Sequence, residues 1–208
     1  EKLKEFYINA SNYAHGARGF LNWIFRDYGL VIVNGNSKVF KEQMIPVFQD
    51  ELLNQTSKGI VERTSKKIQA AGFKKQAHAR EINLFYLSSN IRNRIVKENN
   101  LYKVLDTDLA YTTEEIMEEL KQNPQNFSPN VILRPLFQET IFPNIAYVGG
   151  GGELAYWLER KKQFENYNVA FPMLIRRCSV LWIDKNSSDR MMKFGIDIKD
   201  IFSDTEKL

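Results

Sequence analysis

Four consecutive glycines between a strand-like and a helix-like segment could hold an anion. Residues 145–148 read IAYV, then come Gly149, Gly150, Gly151 and Gly152, and residues 153–157 read ELAYW. Because glycine has no side chain, the amides of such a turn can approach a phosphate or carboxylate closely, and the helix N-terminus adds partial positive charge. The pattern predicts a strand, an anion-binding turn and a helix.

This turn does not follow the common nucleotide-binding motifs. A P-loop would continue with Gly-Lys-Ser or Gly-Lys-Thr, and neither follows here. The dinucleotide fingerprint fits poorly as well, because Tyr156 and Trp157 crowd the position of its third glycine. The sequence therefore favours a phosphate or carboxylate ligand over NAD.

Three side chains beside the turn have two interpretations each. Glu153, in the first helical turn, either caps the helix or recognises a substrate amine or hydroxyl. Tyr147 and Tyr156 are either packed aromatics with satisfied hydroxyls or members of the site. The sequence leaves both pairs of interpretations open.

A second group of polar residues precedes the glycines. Residues 128–139 read SPNVILRPLFQE, in which Asn130, Arg134 and Gln138 recur every four residues and would share one face of a helix. Arg134 offers a planar fork to a carboxylate, and the two amides offer donors and acceptors. The three residues either bind a ligand or brace backbone groups inside the fold.

Helix-like and strand-like segments alternate along the chain, which predicts an α/β fold. Helical spacing or capping marks residues 3–28, 38–53 (with a kink or break at Pro46), the stretch that ends before Gly72, 112–122, 153–167, 189–194 and 198–202. Strand-like runs occupy residues 30–33, 82–87, 91–96, 145–148, 170–175 and 180–183. We expect the segments around residues 88–90 to form a β-hairpin.

Composition is that of an ordinary globular protein, with 43% hydrophobic and 26% charged residues. The net charge of +4 comes without a long basic run, so we expect no nucleic-acid partner, and no apolar run is long enough to suggest a membrane span. Cys178 is the single cysteine, which favours a reducing, cytoplasmic location, and we expect it to be buried beside the apolar run at 180–183. His15 and His78 lack metal-ligand spacing, so no metal site is predicted.

The sequence resembles the bacillithiol biosynthesis cysteine-adding enzymes. SPNVILRPLFQETIFP at 128–143 and IAYVGGGGELAYW at 145–157 are similar to the family patterns S-P-N-V-x-x-R-P-L-x-Q-[DE] and A-Y-V-G-G-P-x-E-[IL]-A-Y-[WF]. The family's Pro-x-x-x-x-Arg segment is echoed from Pro172 to Arg177, and YGLV at 28–31, NLFY at 83–86 and GIDIKDIF at 195–202 also match. Gly151 departs from the pattern, since the family commonly has proline there.

The resemblance implies that this chain is an internal piece of a longer enzyme and is inactive alone. It implies a Rossmann-like, nucleotidyltransferase-type α/β core at residues 1–184, with added helices, a hairpin and a connecting insertion at about 73–126, whose first half lies outside this chain. Residues 185–208 would be a linker and the start of a helical coiled-coil region. A homodimer formed through that helical region is expected.

The resemblance also implies a reaction in which cysteine is joined to glucosaminyl-malate through an amide bond. An ionised carboxylate is a poor electrophile, so the cysteine carboxyl must be activated, and ATP is the nucleotide expected to do this. In this scheme Arg134, Asn130 and the glycine amides bind the malate carboxylates, while Glu153 orients the glucosamine. Two other hypotheses remain: a non-catalytic anion- or nucleotide-binding module, and a structural interaction domain that dimerises through residues 189–202.

Overall fold

The computed structural model describes residues 1–88 and 91–203, which form helices and two small sheets. The helices are α1 (Lys2–Ile8), α2 (Tyr13–Phe25), α3 (Lys38–Glu42), α4 (Ile45–Asn54), α5 (Thr56–Ala70), α6 (Thr113–Gln122), α7 (Arg134–Ile141), α8 (Gly151–Leu158), α9 (Lys161–Asn166) and α10 (Lys185–Lys193). The strands are β1 (Leu84–Leu87), β2 (Arg92–Glu98), β3 (Leu101–Val104), β4 (Ala110–Tyr111), β5 (Phe127–Pro129), β6 (Ala146–Gly149) and β7 (Met173–Arg176). Short 3-10 turns lie at Arg26–Tyr28, Pro124–Asn126 and Ile198–Phe202. The predicted α/β class is confirmed.

Five strands form an antiparallel sheet in the order β4-β3-β2-β1-β5. The predicted hairpin is confirmed by the pairing of β1 with β2, in which Phe85 lies opposite Arg94. Residues 89 and 90 of its predicted turn lie outside the described residues. On its other side β1 pairs with the edge strand β5, with Phe85 opposite Ser128. The start of the 128–139 segment is therefore a strand and not a helix.

The main core lies between this sheet and helices α4, α6 and α7. Leu84 and Tyr86 alternate with half-buried neighbours along β1, as expected of a strand with one face in the core. The core is completed by the fully buried side chains Phe48, Leu52, Ile95, Tyr102, Ile116, Leu120, Phe127, Leu133 and Leu136. The same set of contacts fixes the start of α7, which carries Arg134 to the candidate site.

The second sheet is a pair of parallel strands, β6 and β7, with Tyr147 opposite Leu174. Parallel strands need a crossover connection, and here α8 and α9 supply it. The fully buried Trp157 and Phe164 on these helices pack with Phe171 just before β7. The predicted order of strand, glycine turn, helix and strand is therefore confirmed.

The first helical segment is interrupted once. α1 ends at Ile8, and α2 begins after Asn12, whose side chain accepts a hydrogen bond from the amide of His15 at 3.0 Å. The N-capping asparagine explains the break, because its side chain accepts from the His15 amide, which in a continuous helix would donate to a backbone carbonyl one turn earlier. Helical spacing alone had predicted one continuous helix here.

The breaks further along follow the sequence signals. α4 begins at Ile45 with Pro46 as its second residue, a position where the missing amide costs nothing. α5 ends just before Gly72, whose positive φ of 89° suits glycine. Thr112 caps α6 by accepting a hydrogen bond from the amide of Glu115, and the Glu115 carboxylate accepts a hydrogen bond from the amide of Thr112.

Two predicted strands are wrong. Residues 30–33 and 180–183 have no strand conformation, and Val31 and Trp182 are 75% and 88% exposed. Within residues 1–88 and 91–203 neither segment has a partner strand, and an apolar run alone does not make a strand without one to accept its backbone hydrogen bonds. The prediction that Cys178 is buried is also wrong, because the apolar run that should cover it is itself exposed.

Candidate functional site

The glycine turn joins the end of β6 to the start of α8. Gly150 caps α8, and its amide donates to Glu153 Oε2 at 2.9 Å, so the capping role considered for Glu153 is present. Gly151 and Gly152 are the first two residues of the helix, where amides have no acceptor within the helix itself. Both glycines are exposed, which leaves their amides accessible to an anion.

Gly149 is required by the packing of the turn. A Cβ atom on this residue would lie 2.6 Å from Tyr147 Cε1 and 3.2 Å from Leu154 Cδ2, which is closer than carbon atoms normally pack. At Gly151 and Gly152 a Cβ would meet nothing within 4 Å. An added Cβ at Gly151 would therefore not clash with the described residues.

Tyr147 is both packed and part of the polar site. Its ring stacks on the indole of Trp157, with centroids 4.0 Å apart and planes at 20°. Its hydroxyl donates to Glu153 Oε1 at 3.1 Å. Burial raises the pKa of Tyr147, so the phenol remains a hydrogen-bond donor at neutral pH. The structure therefore shows the packed aromatic with a satisfied hydroxyl, and a role for Tyr147 in ligand binding stays a prediction.

Arg134 reaches the same place from the start of α7. Its guanidinium donates from Nη2 to the hydroxyl of Tyr156 and from Nη1 to Gln138 Oε1 at 3.3 Å. Although burial opposes its charge, the neighbouring tyrosines Tyr156 and Tyr147 raise the pKa of Arg134 above its ordinary value. The structure thus brings the polar face of α7 against the helix that follows the glycine turn.

Asn130 occupies a different position from the one that the four-residue spacing predicted. It lies before α7 begins, with its Oδ1 accepting from the amide of Ile132 at 2.8 Å and its Nδ2 donating to Asn83 Oδ1 at 3.0 Å. Both ends of the side-chain amide are therefore used within the protein. The geometry supports the bracing interpretation for Asn130, while Arg134 and Gln138 remain neighbours on one helical face.

Asn83, which binds Asn130, is itself hydrogen-bonded to the buried carboxylate of Glu51. Asn83 donates from its backbone and side-chain nitrogens to Glu51 Oε1 at 2.9 and 2.6 Å, and its carbonyl accepts from the amide of Asn130 at 3.0 Å. Burial raises the pKa of Glu51 above its ordinary value. Asn83 was missed as a positioning residue by sequence reasoning, although it stands first in the NLFY segment that carried part of the resemblance.

Arg177 is the site residue that sequence reasoning missed. Its amide donates to Gly149 O at 2.9 Å, and its guanidinium lies over Gly150, where an added Cβ would be 3.4 Å from Nε and Nη2. The signal for it was the Pro-x-x-x-x-Arg segment that ends at this residue. Strand pairing between β6 and β7 delivers it to the turn.

Glu153 is bonded by the Gly150 amide and the Tyr147 hydroxyl, and the charges of Arg134 and Arg177 also act on it. The amide of Gly150 lowers the pKa of Glu153 most, and Tyr147, Arg134 and Arg177 lower it further. The carboxylate is therefore ionised at neutral pH. Two donors bond the carboxylate, and the residue itself remains partly exposed.

The chain matches a known family over most of its length. Residues 1–178 match the family model described as the N-terminal Rossmann-like domain of bacillithiol biosynthesis BshC. This chain belongs to the BshC family. It is 44% identical over 196 residues to BshC of Christiangramia forsetii, covering 94% of this chain and 36% of the relative. It is 43% identical over 200 residues to BshC of Flavobacterium psychrophilum, covering 96% of this chain and 37% of the relative.

More distant members show how wide the similarity is. BshC of Staphylococcus haemolyticus is 23% identical over 186 residues, which cover 88% of this chain and 35% of the relative. The chain spans little more than a third of the length of the BshC relatives it matches. The resemblance noted from the sequence motifs is confirmed, and so is the Rossmann-like class.

The site of this BshC family member can bind an acid that also carries an amine or hydroxyl. Two guanidinium groups, the Tyr156 hydroxyl and the free amides of α8 are donors, and Glu153, held by Tyr147, is an ionised acceptor near them. Within residues 1–88 and 91–203, no cluster of three or more His, Cys, Asp or Glu side chains is arranged to hold a metal ion. In the same part of the chain, no helix combines the length and apolar character needed to cross a membrane.

Proposed function

We propose that this chain forms the acid-binding part of an enzyme that adds cysteine to glucosaminyl-malate. The observation that carries the proposal is that Arg134, bonded to Tyr156 of α8, and Arg177, whose guanidinium lies over Gly150, both lie beside the exposed start of α8. The BshC relatives are named, provisionally, as cysteine ligases, and the matching model is named for bacillithiol biosynthesis. Both names agree with an enzyme that uses cysteine in the synthesis of bacillithiol.

The malate part of the proposed substrate has two carboxylates, which suits two separate cationic groups. A guanidinium binds a carboxylate through a planar pair of N–H donors, and such charge-assisted bonds are stronger than neutral ones. In this scheme Arg177 and the amides of Gly151 and Gly152 take one carboxylate. Arg134 takes the other with the donors that Tyr156 and Gln138 do not use.

Glu153 orients the glucosamine in this proposal. Because its pKa is lowered, first by the Gly150 amide, it is a poor proton acceptor at neutral pH but a good hydrogen-bond acceptor. An ammonium or hydroxyl of the sugar could therefore bind to it. Tyr147 holds the carboxylate in place through Oε1 and would keep it aimed at the sugar.

The amide bond requires an activated cysteine carboxyl. An ionised carboxylate resists attack by an amine, so one of its oxygens must first be converted into a leaving group. We propose ATP as the source of that group, on the chemistry of amide formation alone. None of the residues named above is assigned to the nucleotide. The contribution proposed for this chain is to bind and orient the sugar-malate substrate.

Calorimetric titration of glucosaminyl-malate into the chain tests the binding step. Arg134→Ala and Arg177→Ala should each weaken binding by roughly tenfold or more, since each removes charge-assisted hydrogen bonds worth about 1.5–3 kcal/mol. Arg176→Ala is the matched control, because Arg176 is the exposed neighbour of Arg177 at the end of β7. Equal weakening by the control, or loss of folding in proportion to loss of binding, would contradict the proposal.

A separate experiment distinguishes an enzyme from a non-catalytic module. The chain extended to full family length should form an amide product only when both cysteine and glucosaminyl-malate are present, as followed by mass spectrometry. Undiminished binding with no cysteine-dependent product would favour the anion-binding module instead. Light scattering on the same protein would test the proposed homodimer.

A further inference from the structure

A groove lies on the side of α8 that faces away from the candidate site. Glu153 and Tyr156 project to the site, whereas Ala155 and Leu158, on the opposite face of the helix, line the groove. The groove encloses about 980 Å³ between α5 on one side and α8 and α9 on the other. The proposed acid-binding function does not involve it.

One wall is a continuous stripe along α5. Its members recur at the spacing of a single helical face and are Ile60, Arg63, Thr64, Lys67, Ile68 and Ala71. At 1.5 Å per residue the stripe is about 16 Å long, or three helical turns. The opposite wall is formed by α8 and α9, so the groove runs between helices on both sides. This shape suits a third helix better than it suits a compact small molecule.

The floor is apolar and open to solvent. Phe73, at one end, is 69% exposed, and Leu158 is 54% exposed. Large apolar side chains that are gathered in a groove and left in water mark an interaction surface. An occupant that placed apolar side chains at helical spacing on this floor would remove that surface from water.

The rim has a strong excess of positive charge. Five cationic side chains line the groove against the single carboxylate of Glu165, and these are Arg63, Lys67, Lys74, Lys161 and Lys162. Only Lys162 has a carboxylate partner among the described residues, namely Glu165 at 2.5 Å. Positive groups stand on both walls, so an occupant must carry negative charge on both sides of its apolar stripe.

We propose that this groove binds an amphipathic helix whose apolar stripe is flanked by acidic residues on both sides. A second copy of the same groove is disfavoured as the occupant, since a two-fold contact would bring like charges together. The helical walls specify the shape of the partner, and the cationic rims specify its charge.

The test uses a fluorescent peptide of about 14 residues, long enough to span the stripe. It carries leucines at i, i+3/4 and i+7 with glutamates on either side, and a second peptide replaces the glutamates with lysines. Fluorescence anisotropy should show that the glutamate peptide binds the chain about tenfold or more tightly than the lysine peptide, and that added salt weakens it. Equal binding of the two peptides would overturn the proposal.

Variants locate the binding to the groove. Lys67→Glu should weaken binding of the glutamate peptide by about fivefold or more. Lys66→Glu is the matched control, because Lys66 is the exposed neighbour that does not line the groove, and it should change binding less than about twofold. Leu158→Ser tests the floor independently of charge. Equal effects of the two lysine variants would overturn the proposal.

Two further outcomes would assign the groove to another occupant. If dodecanoate binds the groove stoichiometrically while neither peptide does, the groove holds a small amphipathic anion and the proposal fails. If sedimentation shows self-association that Lys67→Glu abolishes, the occupant is a second copy of the chain, and the proposal fails as well. Displacement of the bound glutamate peptide by its unlabelled form, with no self-association, supports it.

Discussion

The phenol ring of Tyr147 stacks on the indole of Trp157, with ring centroids 4.0 Å apart. Tyr147 belongs to β6 and Trp157 to α8, so the stack clamps the strand to the helix across the glycine turn. Because Trp157 is fully buried, the clamp is anchored in the core, and the tyrosine hydroxyl is held at Glu153. The polar site therefore depends on an apolar contact.

Tyr147→Phe should separate packing from hydrogen bonding. The stack on Trp157 remains, but the bond to Glu153 Oε1 is lost, so we expect a change in unfolding free energy of about 1 kcal/mol or less. Binding of glucosaminyl-malate should weaken severalfold, because Glu153 is no longer held. Urea denaturation and calorimetric titration measure the two effects. A stability loss as large as that of Tyr147→Ala would show that the hydroxyl is structural.

Gly149→Ala should damage the site through a steric clash. The new Cβ would lie 2.6 Å from the Tyr147 ring, which cannot move aside because it is stacked on Trp157. We expect a loss of about 1–3 kcal/mol in unfolding free energy. Gly151→Ala is the control, because open space surrounds that position, and it should be neutral or slightly stabilising. A neutral Gly149→Ala variant would contradict the packing described here.

Lys41 should make stability rise with pH. Its ammonium group is buried and donates to Phe127 O at 2.5 Å, and burial, with Arg92 nearby, lowers the pKa of Lys41 to about 8. Between this pKa and the ordinary lysine value of 10.5, the unfolded chain binds more protons than the folded one, so raising the pH favours folding. A gain on the order of 2–3 kcal/mol is expected across that interval.

Comparison of Lys41→Met with Lys38→Met isolates this effect. Lys38 is exposed and donates to the carbonyl of Gln122, so it provides a similar contact without burial. Urea denaturation at several pH values should show the rise in the wild type and in Lys38→Met, but not in Lys41→Met. The same rise in all three proteins would assign it to other groups.

Glu159→Gln should be strongly destabilising. Glu159 and Arg160 form a fully buried ion pair at 3.0 Å, and the carboxylate also accepts from Ser65 Oγ and from the amide of Gln76. Loss of the negative charge leaves the Arg160 guanidinium uncompensated in the core, at a cost of about 3–5 kcal/mol.

Glu165→Gln provides the exposed counterpart. Its ion pair with Lys162 is at the surface, so its loss should change stability by less than about 1 kcal/mol. Chemical denaturation of both variants tests the contrast. Similar losses of stability from the two substitutions would show that burial does not determine how much the Glu159 ion pair contributes to stability.

The parts of the fold that the sequence predicts are those set by local chemistry. Four glycines between two apolar segments predict the turn at β6 and α8, and the threonine cap predicts the start of α6, because these signals act over a few residues. Residues 30–33 and 180–183 were wrongly predicted as strands, since strand formation depends on a partner that an apolar run does not reveal.

The candidate site was predictable to the same extent. Arg134 was proposed from its four-residue spacing with Gln138, and Glu153 from its place in the first helical turn after the glycines. The approach of Arg177 to Gly150 depends on the pairing of two strands, and the bond from Asn130 to Asn83 joins residues 47 positions apart. Such contacts arise from tertiary packing, so the spacing of residues along the chain does not predict them.

The hydrogen bond from the Arg177 amide to Gly149 O has a practical consequence. This backbone contact holds Arg177 beside the turn, so its opening would let the guanidinium move away from Gly150. The rate of hydrogen exchange at this amide, followed by NMR in deuterated water, would therefore report how often the site opens locally. A ligand that slowed that exchange would be recognised before any chemistry was measured.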